Sequence, residues 1–322
     1  MTATGLELNI SLLGNSSVGK KTLLNSLLRH GGCSSAHSTL SPGDVARYTV
    51  MPGHQSADKE NGPAYSAELV GEDTTVTLGQ GSVVRERNFK VGTAEEIVST
   101  RPGISFTFSV VPPLDFIGCE GYVAQKWESW DTVIVVIDGA SGISDDDTKL
   151  LKHIKKQNEQ EPKRIIVVCN KIDDTDSERL SKHAKKASAK VKKIFGADGE
   201  LNEPSGDLSF ISMSAAQAFV YRTGSLMSVE AFKEFDRDLV TMVGKDHFGS
   251  KNWKKLTNEE KSKKLHAAIA SDTQTYESAI ADCGFKVCSP VVSRVSLTPF
   301  PPRRSLWRTS TFTLEVLKSK RS

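Results

Sequence analysis

One short stretch decides the fold of this chain: Gly14-Asn15-Ser16-Ser17-Val18-Gly19-Lys20. It follows the apolar run Leu6 to Leu13, and the helical pattern Thr22 to Leu28 comes next. This order suits a phosphate-binding loop, because a strand delivers the chain to a tight turn, glycines let backbone N–H groups approach the phosphates, and the helix N-terminus adds its positive end. Lys20 is placed to neutralise the β and γ phosphates. The stretch therefore predicts a nucleoside triphosphate site after the first strand.

A second segment, further along the chain, predicts which base is bound. Arg164 to Cys169 is an apolar, β-branched run typical of a buried strand, and Asn170-Lys171-Ile172-Asp173 follows it. An aspartate carboxylate only accepts hydrogen bonds, so Asp173 suits the two N–H donors of guanine and has nothing to offer the edge of adenine. Together the two segments predict a GTP site.

Other apolar runs predict further strands of the same sheet. Val133 to Asp138 is almost continuously apolar and β-branched, as in a parallel strand covered on both faces. A helix follows, with acidic residues 145–147 at its favourable N-terminal end, and returns the chain to Arg164. A strand-helix-strand unit of this kind crosses over right-handed and makes the sheet parallel. Leu208 to Met213 predicts one more strand, which leads into Ser214, Ala215 and Ala216.

We therefore predict an α/β fold, a doubly wound and mostly parallel sheet, over about residues 6–220. The nucleotide is expected at the carboxyl ends of the strands, where apolar runs end in polar loops at Gly14, Asp138, Asn170 and Ser214.

The composition argues against a membrane-spanning or secreted protein. The chain has 322 residues with 38% hydrophobic and 25% charged composition, enough for at least one sizeable core. No apolar run approaches the length that spans a bilayer, and Met1 to Ile10 lacks the pattern of a secretion signal. The five cysteines are scattered and complete no zinc pattern, which favours reduced thiols. We expect a cytoplasmic protein without a transmembrane segment, which can be peripheral at a membrane.

With these motifs in view, the chain resembles the GTP-binding domain of the P-loop GTPase class, and within it the dynamin-like large GTPases. The resemblance rests on Gly14 to Lys20, on Asn170 to Asp173, on Ser214 to Ala216 and on Ser99-Thr100-Arg101-Pro102. The long insertion after His30 is also compatible with that group. Translational GTPases are the next most similar, through residues 131–147.

The resemblance implies a set of site residues, with GTP or GDP and Mg²⁺ as ligands. The nucleotide-contacting residues implied are Gly14, Asn15, Ser16, Ser17, Val18, Gly19, Lys20, Lys21, Thr22, Asn170, Lys171, Asp173, Ser214, Ala215 and Ala216. The Ser-Ala loop would present backbone N–H groups to the guanine carbonyl oxygen. Lys20, Thr100 and Asp115 are the implied catalytic residues, and Thr22, Thr100 and Asp115 the implied magnesium-side groups.

Two departures from the family pattern bear on catalysis. The residue after the loop lysine should carry a hydroxyl for magnesium, but it is Lys21, and Thr22 comes one place later. An ammonium cannot ligate a cation, so either Thr22 substitutes for the hydroxyl or magnesium binding is weakened.

The second departure concerns the Asp-x-x-Gly signature. Asp115 to Gly118 fits its letters, but the strand pattern favours residues 114–117 as the strand, which would place Gly118 where the aspartate belongs. Both alignments are compatible with the sequence. Phosphoryl transfer depends on charge neutralisation by lysine and magnesium, so loss of both groups predicts intact binding and slow hydrolysis.

The rest of the chain predicts appendages to a GTP-binding domain of residues 1–228. Residues 31–96 form an insertion, partly disordered, in which 31–64 are expected to be a mobile loop and 68–88 a small hairpin. Residues 229–288 predict a helical extension. Residues 289–322 carry seven Lys or Arg against one acid, which predicts a basic disordered tail.

Three classes of function follow. The first is a dynamin-like GTPase whose nucleotide state controls association with itself, a membrane or a partner, and the second is a GTP-binding module that does not hydrolyse GTP. The third is a nucleic-acid-associated factor that uses the lysine-rich segment 177–195 and the tail. The third is disfavoured, because the segment lacks interleaved aromatic residues for base stacking, and a solvated helix face or contact with acidic lipid also accounts for the lysines.

Overall fold

The computed structural model describes residues 6–29, 33, 40–41, 43–51, 57–58, 62–63, 67–78, 82–92, 104–116, 118–172, 178–196 and 208–271. Its strands are β1 (Leu6–Leu13), β2 (Val45–Met51), β3 (Ala57–Asp58), β4 (Gly62–Pro63), β5 (Glu68–Leu69), β6 (Thr74–Thr77), β7 (Val83–Gly92), β8 (Ile104–Val110), β9 (Thr132–Asp138), β10 (Arg164–Asn170) and β11 (Leu208–Ser212). Its helices are α1 (Lys20–Leu28), α2 (Cys119–Lys126), α3 (Asp145–Gln160), α4 (Glu178–Phe195), α5 (Ala215–Gly224), α6 (Val229–Lys233), α7 (Arg237–Phe248), α8 (Ser250–Trp253) and α9 (Asn258–Ser271).

The main sheet has the strand order β11-β10-β9-β1-β8-β2-β7-β5, and β6 pairs with β7 beside β5. The strands from β11 to β8 run parallel to one another, so β1, β9, β10 and β11 all end at the same edge. This confirms the predicted doubly wound, mostly parallel α/β fold and brings the loops after the four apolar runs together.

Two hydrophobic layers cover the sheet. On one face the side chains of β1 and β8 pack with helix α1, helix α5 and the helices that follow α5. On the other face the opposite side chains of β9 and β10 pack with helices α2, α3 and α4. Because both faces are covered, Val133 to Ile137 and Ile165 to Cys169 are completely buried, which explains their continuous apolar pattern.

The inserted region contributes strands to the main sheet, which corrects one sequence-based prediction. Residues 45–51, expected in a mobile loop, form β2, which lies antiparallel to β8 and parallel to β7. Tyr48 is fully buried there and stacks on Phe89 at a ring-centroid distance of 5.4 Å. The predicted hairpin within 68–88 is present, since β6 pairs antiparallel with β7 from Thr74↔Glu86 to Thr77↔Val83.

The helices after residue 228 share the core of the face that carries α1. Helix α9 packs on α5, α6 and α7, and Leu265 and Ile269 are buried among them. Trp253 is fully buried, stacks on Phe248 and lies against Gly244, where a Cβ would collide with its ring. Within the described ranges, no helix combines the length and apolar character needed to cross a membrane. The predicted tail, 289–322, and residues 272–288 of the predicted extension lie outside the described residues.

Candidate nucleotide-binding site

The loop between β1 and α1 is held in the shape that a phosphate-binding loop requires. Gly14 and Gly19 have φ of +150° and +91°, values that side chains disfavour. A Cβ at Gly14 would also collide with the carbonyl oxygen of Val136, and one at Gly19 with the side-chain amide of Asn170. The loop therefore lies in close contact with the ends of β9 and β10, and only glycine fits at these two positions.

Lys20 folds back over this loop. Its Nζ donates hydrogen bonds to the carbonyl oxygens of Gly14, at 2.6 Å, and Asn15, at 2.9 Å. Burial, and to a smaller extent the positive charge of Lys21, lower the pKa of Lys20 to about 8, and the negative charge of Asp115 opposes the shift. The ammonium is thus held against the loop by two backbone carbonyl groups. From there its positive charge could neutralise a bound phosphate group.

Asn170 joins three of the predicted motifs. Its side chain is buried, with 3% of the residue exposed. The amide Nδ2 donates to the carbonyl oxygen of Val18 at 2.8 Å, and the amide Oδ1 accepts from the backbone N–H of Ala215 at 2.9 Å. Its own carbonyl oxygen accepts from the N–H of Gly139 at 2.6 Å. The end of β10 therefore ties the phosphate loop to the Ser214 loop and to the loop after β9.

The Ser-Ala loop begins helix α5. Ser214 is the N-cap residue, and its hydroxyl oxygen accepts from the N–H of Gln217. The N–H of Ala215 is engaged by Asn170, whereas Ala216 is partly exposed at the start of the helix. The loop thus lies beside the end of β10, as its position in the sequence predicts, and Ala216 is the more available of its two alanine N–H donors.

Lys171 makes an ion pair that the sequence analysis missed. Its Nζ lies 2.7 Å from Oδ2 of Asp138, at the end of the neighbouring strand β9. Burial pushes the pKa of Asp138 upward, but hydrogen bonds from Lys171 and from the N–H groups of Ser141 and Ala140 hold it below its usual range. The position of Asp138 after an apolar run was the only signal in the sequence for this contact.

A second missed contact connects the phosphate loop to helix α3. Nδ2 of Asn15 donates to Oδ1 of the buried Asp147 at 2.7 Å. Asp147 is also the third helical residue of a capping box with Ser144, since each side chain accepts the backbone N–H of the other. From the sequence, the acidic residues of this helix were expected only to favour its N-terminal end, and the contact of Asp147 with Asn15 depends on the fold.

The structure removes the basis for one alignment of the Asp-x-x-Gly segment. The strand predicted over residues 114–117 is wrong, because the strand is β8 and it ends at Val110. Pro112 and Pro113 follow and cannot donate to a ladder, and Asp115 lies in an exposed turn beyond them. Its charge acts on Lys20, which places Asp115 on the side of the phosphate loop.

The other predicted site residues are placed as follows. Lys21 and Thr22 are half-buried in the first turn of α1. Ser16, Ser17 and Val18 form the turn between the two glycines, in which Val18 is buried and Ser17 has φ of +59°. Thr100, with the segment 99–102, and Asp173 lie outside the described residues.

Comparison with known proteins gives one family match. Residues 120–275 match the family model described as the elongation factor Tu GTP binding domain. A search of the curated proteins finds no significant match.

Solved structures with a similar chain path include two of an oligomerised bacterial dynamin pair, described as sensing and tethering membranes. Each is 14% identical with a TM-score of 0.42, and the alignments cover 91% of this chain and 51% or 52% of theirs. Another is the apo form of translation elongation factor SelB from Methanococcus maripaludis, 15% identical with a TM-score of 0.31, over 67% of this chain and 31% of that one. The chain spans about half the length of the dynamin structures it matches.

The fold and the family match converge on one class. The matched residues contain Asn170, Lys171 and the Ser214 loop, and the Asn170 side chain binds the phosphate loop to them. The fold is that of a P-loop GTPase domain, as the motifs predict.

Proposed function

We propose that this P-loop GTPase domain binds GTP and GDP, hydrolyses GTP slowly, and uses its nucleotide state to control association with itself, a membrane or a partner. The observation that carries the proposal is the hydrogen-bonded position of Asn170 between the phosphate loop and the Ser214 loop. This contact supports the proposal, because it holds the two loops together at the edge where the parallel strands end, and that edge is where such folds bind ligands. Asp173, three residues after Asn170, is assigned to the guanine base.

The dynamin-like part of the proposal is supported by sequence features. Residues 99–102, Ser-Thr-Arg-Pro, match the first switch of dynamin-like proteins, in which the threonine touches the γ-phosphate side. The insertion adds β2 and β7 to the sheet, which makes the domain larger than a minimal GTPase. Self-association or peripheral contact with a membrane, from a cytoplasmic location, is the proposed use of the nucleotide cycle.

Slow turnover is expected from the chemistry at the phosphate end. Phosphoryl transfer needs positive charge on the β and γ phosphates and an ordered nucleophile. Lys20 supplies one charge, but Lys21 stands where the magnesium-binding hydroxyl is expected. Thr22, Thr100 and Asp115 are the groups we assign to the magnesium side, where binding is expected to be weak. A non-hydrolysing GTP-binding module is the second candidate, and the same Lys21 observation favours it.

Nucleotide titration of the purified protein tests the proposal. We expect GTP and GDP to bind and ATP to bind at least tenfold more weakly, because Asp173 would be left without donors. Replacing Asp173→Asn should relax the discrimination between GTP and xanthosine triphosphate, whereas Asp174→Asn, which changes the adjacent acid, should not. Equal competition by ATP would overturn the guanine assignment, and turnover of GTP over hours decides between the GTPase and the non-hydrolysing module.

A further inference from the structure

We propose that Lys21 is a second phosphate-binding cation, which contacts the β or γ phosphate of the nucleotide and takes over part of the charge that magnesium supplies in a P-loop site. This inference rests on the proposed function and deepens it, because it assigns the cation that would hold the triphosphate. The inference concerns nucleotide binding. Lys21 would contact the nucleotide, in addition to replacing the hydroxyl that is expected to bind magnesium.

Lys21 lies at the start of the helix that follows the phosphate loop. It is the second residue of α1, directly after Lys20, and both side chains are half-buried at the start of the helix. The two charges are close enough for Lys21 to disfavour the charged form of Lys20. The N-terminal end of α1 contributes further positive potential at the same place. Lys21 therefore lies in the first turn of α1, next to the lysine that folds back over the phosphate loop.

Within the described ranges, Lys21 has no negatively charged partner. Among the described residues, the ammonium of Lys21 makes no hydrogen bond and no ion pair, and Lys20 bonds only to two backbone carbonyl oxygens. The thiol of Cys33 is near Lys21, but burial raises the pKa of that thiol well above its usual range, so it stays neutral. A half-buried charge without a partner is costly. An arriving phosphate would supply the missing negative charge to both lysines.

The described residues do not fit a tight magnesium site. The hydroxyl expected after Lys20 is replaced by an ammonium, which repels a divalent cation. Across the described ranges, no three Asp, Glu, His or Cys side chains converge as metal ligands, and Asp115 is a single exposed acid. The site instead offers two ammonium groups and the loop N–H groups. We infer that the triphosphate is bound mainly by Lys20 and Lys21.

The test is the affinity for GTP and GDP, measured by calorimetry or fluorescence in EDTA and again with added magnesium. In EDTA the unmodified protein should bind GTP within about threefold of its affinity with magnesium. Lys21→Gln should weaken binding in EDTA by about ten- to a hundredfold, which is the range expected for one charge-assisted hydrogen bond. Lys21→Arg should retain binding in EDTA, and Lys21→Ser should lose it there and recover part of it with magnesium.

Two controls separate the possible outcomes. Lys185→Gln, which removes an exposed lysine of α4, should leave the affinity unchanged, and thermal unfolding of each variant shows that it is folded. The inference is overturned if the unmodified protein binds GTP only with magnesium, or if Lys21→Gln binds as tightly as the unmodified protein in EDTA. Failure of the proposed function looks different, since neither GTP nor GDP would then bind with or without magnesium.

Discussion

The side-chain amide of Asn170 donates a hydrogen bond to the carbonyl oxygen of Val18 across 152 positions of sequence, at 2.8 Å. This contact connects the motif expected to recognise the base with the loop expected to hold the phosphates. Since the same side chain accepts from Ala215 N–H, a change at Asn170 acts on both ends of the site. The geometry of the phosphate loop thus depends on a residue of another strand.

Replacing Asn170→Asp should remove one of these two hydrogen bonds and keep the other. The carboxylate can still accept from Ala215 N–H, but it places a negative oxygen against the carbonyl oxygen of Val18. We expect GTP affinity to fall by about ten- to a hundredfold, the cost of about 1–3 kcal/mol for a buried group left without its partner. Titration with a fluorescent nucleotide checks this, and Asn170→Ala should weaken binding as well because it removes both bonds. Unchanged affinity in both variants would show that the phosphate loop keeps its shape without the hydrogen bonds of the Asn170 side chain.

Gly19→Ala should disturb the site beyond the ordinary strain of a positive φ. Gly19 lies where a Cβ would collide with the Asn170 amide, whereas Gly142, which also has a positive φ, has open space around its Cα. We therefore expect Gly142→Ala to cost about 1 kcal/mol of stability without loss of nucleotide affinity. Gly19→Ala should lower both the stability and the nucleotide affinity, the affinity by at least tenfold. Parallel titrations and melting curves of the two variants check this, and equal behaviour would count against close packing of the loop on Asn170.

The buried carboxylate of Glu86 predicts a pH dependence of stability. Glu86 is 2% exposed and lies 2.6 Å from the hydroxyl of Tyr122, 2.9 Å from Nζ of Lys126 and 3.5 Å from Nη1 of Arg47. Burial pushes the pKa of Glu86 upward, but these donors and positive charges hold it below its usual range. A lowered folded-state pKa stabilises the protein above the unfolded value of about 4.3, and this stabilisation is lost as pH falls through the folded value.

Glu86→Gln measures that contribution. We expect a loss of about 1–3 kcal/mol in the free energy of unfolding at pH 7, because the charge is removed and Tyr122, Lys126 and Arg47 lose part of their partner. The difference from the unmodified protein should shrink as the pH falls from about 4.3, the unfolded value, through the lowered folded-state pKa, because the carboxyl group of the unmodified protein then becomes protonated. Urea unfolding at both pH values gives the result, with the exposed Glu68→Gln on β5 as a control near zero. A pH-independent difference would assign the effect to packing.

Arg222 is expected to stabilise the helix that follows the phosphate loop. From α5 its guanidinium donates to the carbonyl oxygens of Ser26 and Leu27, at the C-terminal end of α1. Arg222→Met keeps much of the buried length but removes the charge and these bonds, so we expect about 2 kcal/mol of destabilisation, or about 4–8 °C in Tm. The exposed Arg237→Met, at the start of α7, should change Tm by less than about 1 °C. If thermal unfolding gave the same change in Tm for Arg222→Met and Arg237→Met, Arg222 would not have this stabilising role.

The sequence alone predicted those features that depend on local pattern. Continuous β-branched runs at Val133 to Asp138 and Arg164 to Cys169 indicated buried parallel strands, and the polar residues that end them indicated one site at the carboxyl edge. The phosphate loop followed from glycine spacing between a strand and a helix. These signals are local because the period of burial and the turn chemistry are carried by neighbouring residues.

Only the tertiary structure decided which distant groups meet. Val45 to Met51 lies in a polar, glycine-containing region without a strong period, and it becomes a strand because β7 and β8 satisfy its backbone on both sides. Asp138 meets Lys171, and Asn170 reaches Val18, because parallel strands end at one edge and bring their side chains within hydrogen-bond distance. Such contacts depend on strand order and register, which arise from packing of the whole sheet. A short window of sequence therefore determined the elements of the site, and their long-range pairing determined its geometry.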